Sequence, residues 1–490
     1  MSVSLSRSTQ PSSESAAEAA STNTQGEPDR AYWQGIQANI IEDRQNPDRL
    51  YADWTASGRL YRPIEQRISE LAGQIMANTH TEDSYTGREM SRYLDQAHER
   101  IKAHVRADSS DVLLNVGTGM TGALAKLMRL LGWWSHESHR QLILDNLAER
   151  PLVYITHREH HSNQTMWLES LAELRLIPAL DGDEIDLAWL EQDLLREAKR
   201  KIKVASVTAA SNVTGIVTPY RDIARLMHAQ GGLAFVDFAA SAPYVDIDMH
   251  PNADEWLDAI YFSPHKFLGG PGSNGVLVFN QALYQNRIPD QPGGGTVLWT
   301  NPWGEHRFIK DIEQRESGGT PGILQTLRTA LAIQLKEEMG TERIAAREAW
   351  LNQRLFARLS AMPAVRVLSD QHRDRLSVFS IVFANLDYRS AVQRLSDRFY
   401  IESRGGCACA GTYGHHLLAI DQRTSNAITA GLDEACPTDK PGWVRISLHP
   451  SMSAAQLDRL ADAIGAVALL SVDQTPLPRT PAADFWTTLS

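Results

Sequence analysis

A lysine between two strand-like segments is the residue with the clearest potential for chemistry. The stretch Ala259–Phe279 reads AIYFSPHKFLGGPGSNGVLVF, in which one strand-like run ends at Ser263 and is followed directly by His265 and Lys266. Ligands of α/β sheets collect at the carboxyl ends of strands, so an amine at this point can attack an electrophilic group. Ser263 and His265 are suited to bind a phosphate, and the glycines let backbone approach a bulky ligand. Taken alone, the His265-Lys266 dipeptide is more typical of a solvated loop lysine, and the other motifs reverse that interpretation.

An acidic residue stands about one helix and one strand before this lysine. Asp237 ends the strand-like run Leu233–Asp237. A carboxylate at the carboxyl end of a strand can pair with a protonated pyridine nitrogen and keep that ring an electron sink. The alternative is a helix cap, for which aspartate is also a preferred residue type.

A glycine-rich segment near the start of the predicted sheet indicates phosphate binding. Gly117–Gly122 reads GTGMTG and lies between a strand-like run and the helical Ala123–Leu131. Free N–H groups at a helix N-terminus attract phosphate, and Thr121 adds a hydroxyl. The spacing also matches the GxGxxG fingerprint of dinucleotide sites, although no matching ribose acid follows. A nicotinamide-binding enzyme therefore stays open as an alternative.

Three further polar residues follow or interrupt strand-like runs. His160, in Arg158–Asn163 (REHHSN), can stack on a flat ring and move protons, or it is a metal ligand or a surface residue. Asn212 can donate to a ring oxygen or a carboxylate, or it is a turn residue. Arg445 needs a planar anionic partner if it is buried. The carboxylate of an amino acid or a structural salt bridge would serve.

Two cysteines lie in a flexible segment near the C-terminal end. Glu402–His416 reads ESRGGCACAGTYGHH and contains Cys407 and Cys409. The small residues allow the segment to move, and Arg404 favours the thiolate form of a nearby thiol. The cysteines are expected to supply a nucleophile. Inert packing thiols, or a metal site completed by the two histidines, are the alternatives.

The elements that must position these residues follow from the alternation of apolar runs with amphipathic segments. Alternating strands and helices predict an α/β fold, with a mostly parallel sheet covered by helices on both faces. The last run follows its predecessor through a glycine-rich turn, so it is expected to be antiparallel. The seven predicted strands are Asp111–Val116, Leu152–Thr156, Leu174–Ala179, Val204–Thr208, Leu233–Asp237, Ala259–Ser263 and Gly275–Phe279.

The same patterns predict how the chain divides. A polar, low-complexity start predicts a disordered tail, and a proline-containing end without clear periodicity predicts a loose one. Helical patterning over Thr329–Ser360, with a break at Gly340, would bridge two domains. The expected parts are a disordered tail (1–30), an N-terminal segment packing with the small domain (31–60), a large domain (61–330), a bridging helix with a small C-terminal α/β domain (331–470) and a loose tail (471–490).

Composition excludes several classes of protein. The chain has 490 residues, of which 42% are hydrophobic, enough to bury a large core. Its formal net charge of −11 argues against nucleic-acid binding. No run of apolar residues is long enough for a membrane span, and the start lacks the pattern of a secretory signal. Three cysteines suit a reducing compartment, so a cytoplasmic protein is expected.

These motifs, in this order, resemble the class V aminotransferase superfamily of fold-type I enzymes that use pyridoxal 5′-phosphate (PLP). The nearest branch is that of cysteine desulfurases and selenocysteine lyases. The resemblance runs from about Tyr51, in YADWTASG, to about Leu469. It implies a large domain with a mostly parallel seven-stranded sheet between helices and a small C-terminal α/β domain. It also implies PLP as cofactor, a small amino-acid substrate and a homodimer.

The resemblance also implies a role for each candidate residue. Lys266 would carry PLP as a Schiff base, Asp237 would pair with the pyridine nitrogen and His160 would stack on the ring. Asn212 would face the ring oxygen and the substrate, whose carboxylate Arg445 and the loop residue Arg404 would bind. The phosphate ligands would be Gly119, Met120, Thr121, Ser263 and His265, with Thr320, in ESGGTPG, reaching the phosphate of the neighbouring subunit.

The expected reaction depends on the cysteine segment. In the resembled branch the nucleophile lies five residues after the loop arginine, which is Cys409 here, and Cys407 would be a relay or resolving thiol. Lys266 would remove the Cα proton of L-cysteine or selenocysteine, and Cys409 would take the sulfur or selenium, leaving alanine. The persulfide would pass to a sulfur-acceptor protein. No metal is expected.

One position departs from the pattern of the branch. Desulfurases usually have a glutamine three residues after the aspartate, where this chain has Ala240 followed by Ser241. Water or Ser241 would then contact the ring oxygen, or the electronics of the ring would differ. The departure leaves open a PLP-dependent lyase, epimerase or aminotransferase without a sulfur nucleophile. A non-catalytic scaffold is the remaining alternative.

Overall fold

The structure is a computed structural model that describes residues 26–43, 46–79, 81, 83–433 and 440–470. The expected tails at residues 1–25 and 471–490 lie outside these ranges. Among the described residues, no helix is long and apolar enough to cross a membrane. The strands are β1 (Leu50–Tyr51), β2 (Asp111–Val116), β3 (Leu152–Ile155), β4 (Glu173–Leu176), β5 (Lys203–Thr208), β6 (Leu233–Asp237), β7 (Ala259–Phe262), β8 (Gly275–Asn280), β9 (Val297–Thr300), β10 (His306–Phe308), β11 (Val365–Val367), β12 (Val378–Phe383), β13 (Ile401–Glu402), β14 (Arg404–Gly406) and β15 (Trp443–Ser447).

Helices connect most of these strands and cover both faces of the main sheet. Their lengths fit the amphipathic segments seen in the sequence. The helices are α1 (Arg30–Ala38), α2 (Arg62–Arg67), α3 (Tyr85–His104), α4 (Gly119–Leu130), α5 (Glu137–Asn146), α6 (His161–Leu168), α7 (Leu187–Arg196), α8 (Tyr220–Ala229), α9 (Ile312–Arg315), α10 (Ile323–Met339), α11 (Thr341–Ser360), α12 (Tyr388–Phe399), α13 (Gly411–Leu417), α14 (Gln422–Asp433) and α15 (Ala454–Ala468).

The main sheet has seven strands in the order β2-β8-β7-β6-β5-β3-β4. The pairs β3–β4, β3–β5, β5–β6 and β6–β7 are parallel, whereas β8 is antiparallel to both of its neighbours. Side chains of a strand alternate between faces. In β3, Leu152 and Tyr154 accordingly pack in one apolar cluster, and Val153 and Ile155 pack in the other. The parallel strands thus end at one edge of a sheet buried on both faces.

A smaller antiparallel sheet follows, with the order β11-β12-β15-β14. It is reached through α10 and α11, which Gly340 separates with a left-handed φ of 77°. The break falls where the sequence predicted it. Two short strands follow α12: β13 pairs with β1 near the N-terminus, and β14 joins this smaller sheet.

The described chain begins at residue 26, within the stretch 1–30 that the sequence predicts to be a disordered tail. Helix α1 begins at Arg30, and the buried Arg347 donates to the carboxylate of Glu27 at 2.6 Å. Arg347 also donates to the backbone oxygens of Pro450 and Met452. A buried guanidinium requires such acceptors. This contact with α11 fixes the start of the described chain.

Candidate active site

A cavity of about 220 Å³ lies at the carboxyl edge of the main sheet, where the smaller sheet and the cysteine segment close over it. Parallel pairing sets Thr208 of β5 beside Asp237 of β6, and Asp237 beside Tyr261 of β7. Residues far apart in the chain therefore meet at this edge. The lining residues are Thr55, Ala56, Thr118, Met120, Thr121, His160, Thr208, Asn212, Asp237, Ala239, Ala240, Ser263, His265, Lys266, Arg404, Ala408, Cys409 and Arg445.

Lys266 ends a single 3-10 turn that follows β7. Its backbone N–H donates to the carbonyl of Ser263 at 3.1 Å, which fixes the turn. Burial lowers the pKa of Lys266 to about 8, while the negative charge of Asp237 opposes the shift. Burial disfavours the charged form of an amine. A sizeable fraction of the Lys266 amine is therefore neutral close to physiological pH and able to act as a nucleophile or base.

Asp237 is buried at the end of β6, with 2% of its surface exposed. Its Oδ1 accepts the backbone N–H of Ala239 at 2.8 Å. Burial raises the pKa of Asp237 to about 6, against the effects of that hydrogen bond and of Lys266. No helix follows directly, so the carboxylate fixes a turn and does not cap a helix. A buried carboxylate that lines a cavity favours a cationic partner there.

His160 stands directly before α6 and caps it. Its Nδ1 accepts the backbone N–H of Ser162 at 3.1 Å, so the proton of the neutral ring is on Nε2. Burial, together with the positive charge of Lys266, lowers the pKa of His160 to about 3. The ring beside the cavity is therefore neutral across the physiological range.

The N-terminus of α4 forms a cradle for an anion. Gly119 has a left-handed φ of 62°, and a Cβ there would lie 2.8 Å from Ser263 Oγ. The backbone N–H of Met120 donates to the same Ser263 hydroxyl at 2.8 Å. Thr121 Oγ1 is 2.8 Å from Ser162 Oγ. The helix starts earlier than the predicted Ala123, so these residues form its first turn, where phosphate is favoured.

Asn212 and Arg445 both line the cavity and contact each other. The side-chain amide of Asn212 donates to the carbonyl of Ala408 at 2.7 Å, and Arg445 Nη1 donates to the carbonyl of Asn212 at 3.1 Å. Arg445 Nη2 also pairs with Asp53 Oδ1 at 2.8 Å. The buried guanidinium therefore both lines the cavity and makes a structural salt bridge. Asp53 was not among the predicted site residues.

The cysteine segment crosses the mouth of the cavity between β14 and α13. Cys409 lines the cavity, whereas Cys407 lies outside the lining set, and both thiols are free and exposed. The backbone N–H of His161 donates to the carbonyl of Cys409 at 2.7 Å, and His161 Nε2 accepts from Gly411 at 2.8 Å. Ala408 and Cys409 have φ values of 49° and 58°. Left-handed backbone is costly for non-glycine residues, so these contacts hold a strained segment in place.

A buried carboxylate anchors the helix after the cysteine segment. Asp183 accepts from Tyr413 of α13, from His157 Nε2 at 2.8 Å and from Ser369 at 2.9 Å. His416 lies 3.4 Å from the same carboxylate. Burial alone would raise the pKa of Asp183, but hydrogen bonds from two histidines and a tyrosine hold it well below its usual range. Asp183 therefore stays charged and ties α13 to the large domain.

Thr320 and Ser241, which the resemblance brought into consideration, do not line the cavity. Thr320 is exposed and outside the cavity, where its hydroxyl accepts from Asn78 at 3.3 Å. The hydroxyl of Ser241 donates to the carbonyl of Phe238 at 3.4 Å and does not line the cavity. Ser241 therefore does not take the place of the glutamine that Ala240 replaces.

Other lining residues were absent from the sequence-based set. Thr55 and Ala56 line the cavity from YADWTASG, and the others are Thr118, Thr208, Ala239 and Ala408. The only sequence signal for the first two is the motif at which the family resemblance begins. Their contact with the site depends on the pairing of the N-terminal segment with the smaller sheet.

Comparison with known proteins decides the family. The model of the family described as Aminotransferase class-V matches residues 50–460. The chain belongs to the class-V aminotransferase family. It is therefore an enzyme, and the family and fold predicted from the sequence are confirmed.

Named relatives of this class-V aminotransferase are cysteine desulfurases. A cysteine desulfurase of Dickeya dadantii is 30% identical over 379 residues, which cover 76% of this chain and 85% of the relative. A probable cysteine desulfurase of Aeropyrum pernix is 28% identical over 380 residues, covering 76% and 87%. The apo structure of a cysteine desulfurase from Thermococcus onnurineus has a TM-score of 0.71 at 19% identity, with 89% and 98% of the two chains covered. This last likeness bears on the fold alone.

The family implies PLP, and the residues of the cavity fit that group. Gly119 leaves open a space beside Ser263 that a Cβ would fill, at a helix N-terminus suited to a phosphate. Asp237 is a buried carboxylate that favours a protonated ring nitrogen. Lys266 is an amine with a lowered pKa. An anionic, ring-nitrogen-bearing aldehyde matches all three features.

Proposed function

We propose that this class-V aminotransferase is a PLP-dependent cysteine desulfurase that converts L-cysteine to alanine and leaves the sulfur as a persulfide on Cys409. The observation that carries the proposal is that Cys409 lines the same cavity as Lys266, Asp237 and Arg445. The names of the relatives support the same reaction. L-Selenocysteine, which differs by one atom, is the second expected substrate.

The cofactor would be held by Lys266, Asp237 and the N-terminus of α4. Lys266 would bind it covalently through the ε-amine, and Asp237 would face its ring nitrogen. The phosphate would lie at the N-terminus of α4, with the backbone of Gly119 and Met120 and the hydroxyl of Thr121, beside Ser263 and His265. When bound, PLP supplies an electron sink that stabilises negative charge developing at Cα of the substrate.

Arg445 and Asn212 would orient the substrate. A guanidinium binds a carboxylate through two parallel hydrogen bonds, and Arg445 retains a buried Nε–H that has no partner among the described residues. A carboxylate bound there would leave the amine and the thiol of the substrate free to reach Lys266 and Cys409, which line the same cavity.

Lys266 would move the proton at Cα. Once the substrate amine has displaced it, its free amine takes that proton, and a pKa of about 8 suits this role near neutral pH. His160 is neutral, carries its proton on Nε2 and would stack on the ring. A neutral imidazole at His160 adds no positive charge that would compete with the ring nitrogen of the cofactor for Asp237.

The Cys409 thiolate would then attack the sulfur of the substrate. A sulfur–sulfur bond forms as the carbon–sulfur bond breaks, and its electron pair stays with the substrate carbon. That carbon takes a proton, so alanine is released and Cys409 carries the persulfide. No external oxidant or reductant is required. A sulfur-acceptor protein would remove the persulfide sulfur in the next step.

We also propose a homodimer in which Thr320 completes the phosphate site of the neighbouring subunit. The support is that Thr320 is exposed and lies outside the cavity of its own chain. Analytical ultracentrifugation should give a dimer, and Thr320→Ala should weaken PLP retention without unfolding the chain. A monomer that retains PLP fully would contradict this arrangement.

A product assay tests the reaction. The PLP-loaded protein, supplied separately with L-cysteine, L-selenocysteine and L-alanine, should form alanine from the first two and sulfide or selenide in the presence of a reductant. Pyruvate or a racemised amino acid in place of alanine would instead indicate a lyase, an aminotransferase or an epimerase. A colourless protein that ignores added PLP would contradict the cofactor assignment.

A further inference from the structure

Two arginines face each other across a strand ladder at the cavity. Arg404 of β14 and Arg445 of β15 are register partners in an antiparallel pair, and both line the cavity. Like charges directly opposite each other on a sheet are destabilising. Arg445 is buried, so its charge is poorly screened by solvent. This pair requires a counter-ion.

Asp53 supplies that counter-ion. Its Oδ1 lies 2.8 Å from Arg445 Nη2, and its Oδ2 lies 3.1 Å from Arg404 Nε. The carboxylate is buried, and its backbone is fixed by a bridge to Ser447. The neighbouring Thr55 donates its N–H to the Ser447 hydroxyl at 2.9 Å. Asp53 therefore holds both guanidiniums from outside the cavity lining.

One N–H donor of Arg445 has no hydrogen-bond partner among the described residues. Nη1 donates to the carbonyl of Asn212 and Nη2 pairs with Asp53, but the buried Nε–H has no partner among the described residues. Leaving a buried donor unpaired is costly, more so on a charged group. The unpaired donor lies on a side chain that lines the cavity, so an anionic ligand there would satisfy it.

We propose that Asp53 is a positioning residue that competes with the substrate carboxylate for Arg445. In the ligand-free protein it offsets one of the two facing positive charges, and a bound carboxylate shares Arg445 with it. Asp53 therefore sets how tightly carboxylates bind and keeps the site from retaining the alanine product. The inference deepens the proposed function, because it concerns recognition of the amino-acid carboxylate at the same site.

The charge-removing variant Asp53→Asn keeps the shape of the side chain and leaves both arginines without their counter-ion. The PLP-loaded variant should bind L-alanine about tenfold more tightly than the wild type by calorimetry, because the competing carboxylate is gone. L-Alaninamide, which lacks the carboxylate, should bind the variant and the wild type equally. In turnover with L-cysteine, KM should fall and inhibition by L-alanine should strengthen.

Asp458→Asn is the matched control. Asp458 bridges Arg354 at 2.7 Å and Arg358 at 3.3 Å, outside the cavity, so L-alanine binding should stay at the wild-type value. Unchanged or weaker binding of L-alanine by a folded Asp53→Asn variant overturns the proposal. Equal tightening for L-alaninamide also overturns it, since the effect would not depend on the carboxylate.

A second comparison decides the matter if Asp53→Asn does not fold. Arg404→Gln alone leaves one arginine and one carboxylate, and Asp53→Asn added to it removes the competitor. The double variant should bind L-alanine more tightly than Arg404→Gln, and unchanged or weaker binding overturns the proposal. These are binding measurements, so they remain decisive even if the wild type forms no sulfide and the proposed desulfurase reaction fails.

Discussion

Asp183→Asn tests whether the buried carboxylate positions the cysteine segment. Asp183 accepts hydrogen bonds from Tyr413 of α13, from His157 and from Ser369. An asparagine offers one oxygen and presents its NH₂ group to donors. A hydrogen bond to a charged group contributes about 1.5–3 kcal/mol, and a buried donor left unpaired costs about 1–3 kcal/mol. The contact that ties α13 to the large domain should therefore weaken by about 3 kcal/mol.

The expected result is a selective loss of sulfur transfer. The PLP content and L-alanine affinity of Asp183→Asn should match the wild type, because none of its partners lines the cavity. Single-turnover persulfide formation from L-cysteine should fall about tenfold or more, since 1.4 kcal/mol corresponds to a factor of ten. Absorbance of the bound cofactor and labelling of the persulfide measure the two quantities separately.

A pair of tyrosine variants separates positioning from general destabilisation. Tyr413→Phe removes the hydrogen bond to Asp183, and Tyr154→Phe removes a buried hydrogen bond of the same kind, made to Asp193 at 2.8 Å. Only Tyr413→Phe should slow persulfide formation. Equal slowing by both variants, or loss of cofactor from Asp183→Asn, would refute the positioning role.

Three further predictions concern the cofactor end of the cavity. Lys266→Ala should abolish covalent PLP attachment, seen as loss of cofactor when the protein is reduced with borohydride and then denatured, and a retained covalent adduct would contradict its assignment. The pKa of Lys266 is lowered to about 8, and the amine that the substrate has displaced must be neutral to act as the base. We therefore expect kcat, which reports the enzyme–substrate complex, to rise with pH and level off above about 8, and a flat profile from pH 6 to 9 would count against this role. Because the charge of Asp237 raises that pKa, Asp237→Asn should shift the midpoint to lower pH and reduce kcat about tenfold to a hundredfold, the effect of one charge-assisted hydrogen bond. An unmoved midpoint would argue against an effect of the Asp237 charge on the pKa of Lys266.

Most of the fold could be predicted from local patterns in the sequence. Apolar runs of strand length, separated by amphipathic segments, predicted the main sheet and its antiparallel last strand. They could do so because a buried strand is itself a continuous run of apolar residues. The largest error lies at Leu174–Ala179, where β4 covers Glu173–Leu176. This is an edge strand with less complete burial, so its apolar pattern marks its limits poorly.

Residues beside the strand ends were also predictable as a group, because parallel strands bring their carboxyl ends to one edge. Lys266, Asp237, His160 and Asn212 all line the cavity. Their individual roles come from the family resemblance and stay predictions.

The residues missed by sequence reasoning act through partners far along the chain. Asp53 meets Arg445, 392 positions later, and Asp183 meets Tyr413, 230 positions later. The local sequence around each aspartate gives no sign of which distant residue it will contact. Their partners are set by the packing of the smaller sheet and α13 against the large domain, which periodicity does not encode.

The most direct test of the central claim is the location of the sulfur after one turnover. The PLP-loaded protein is mixed with one equivalent of L-cysteine, alkylated and analysed by peptide mass spectrometry. One additional sulfur atom should appear on Cys409, persist in Cys407→Ala and disappear in Cys409→Ala together with alanine formation. Alanine and sulfide formed by Cys409→Ala at the wild-type rate would contradict the account.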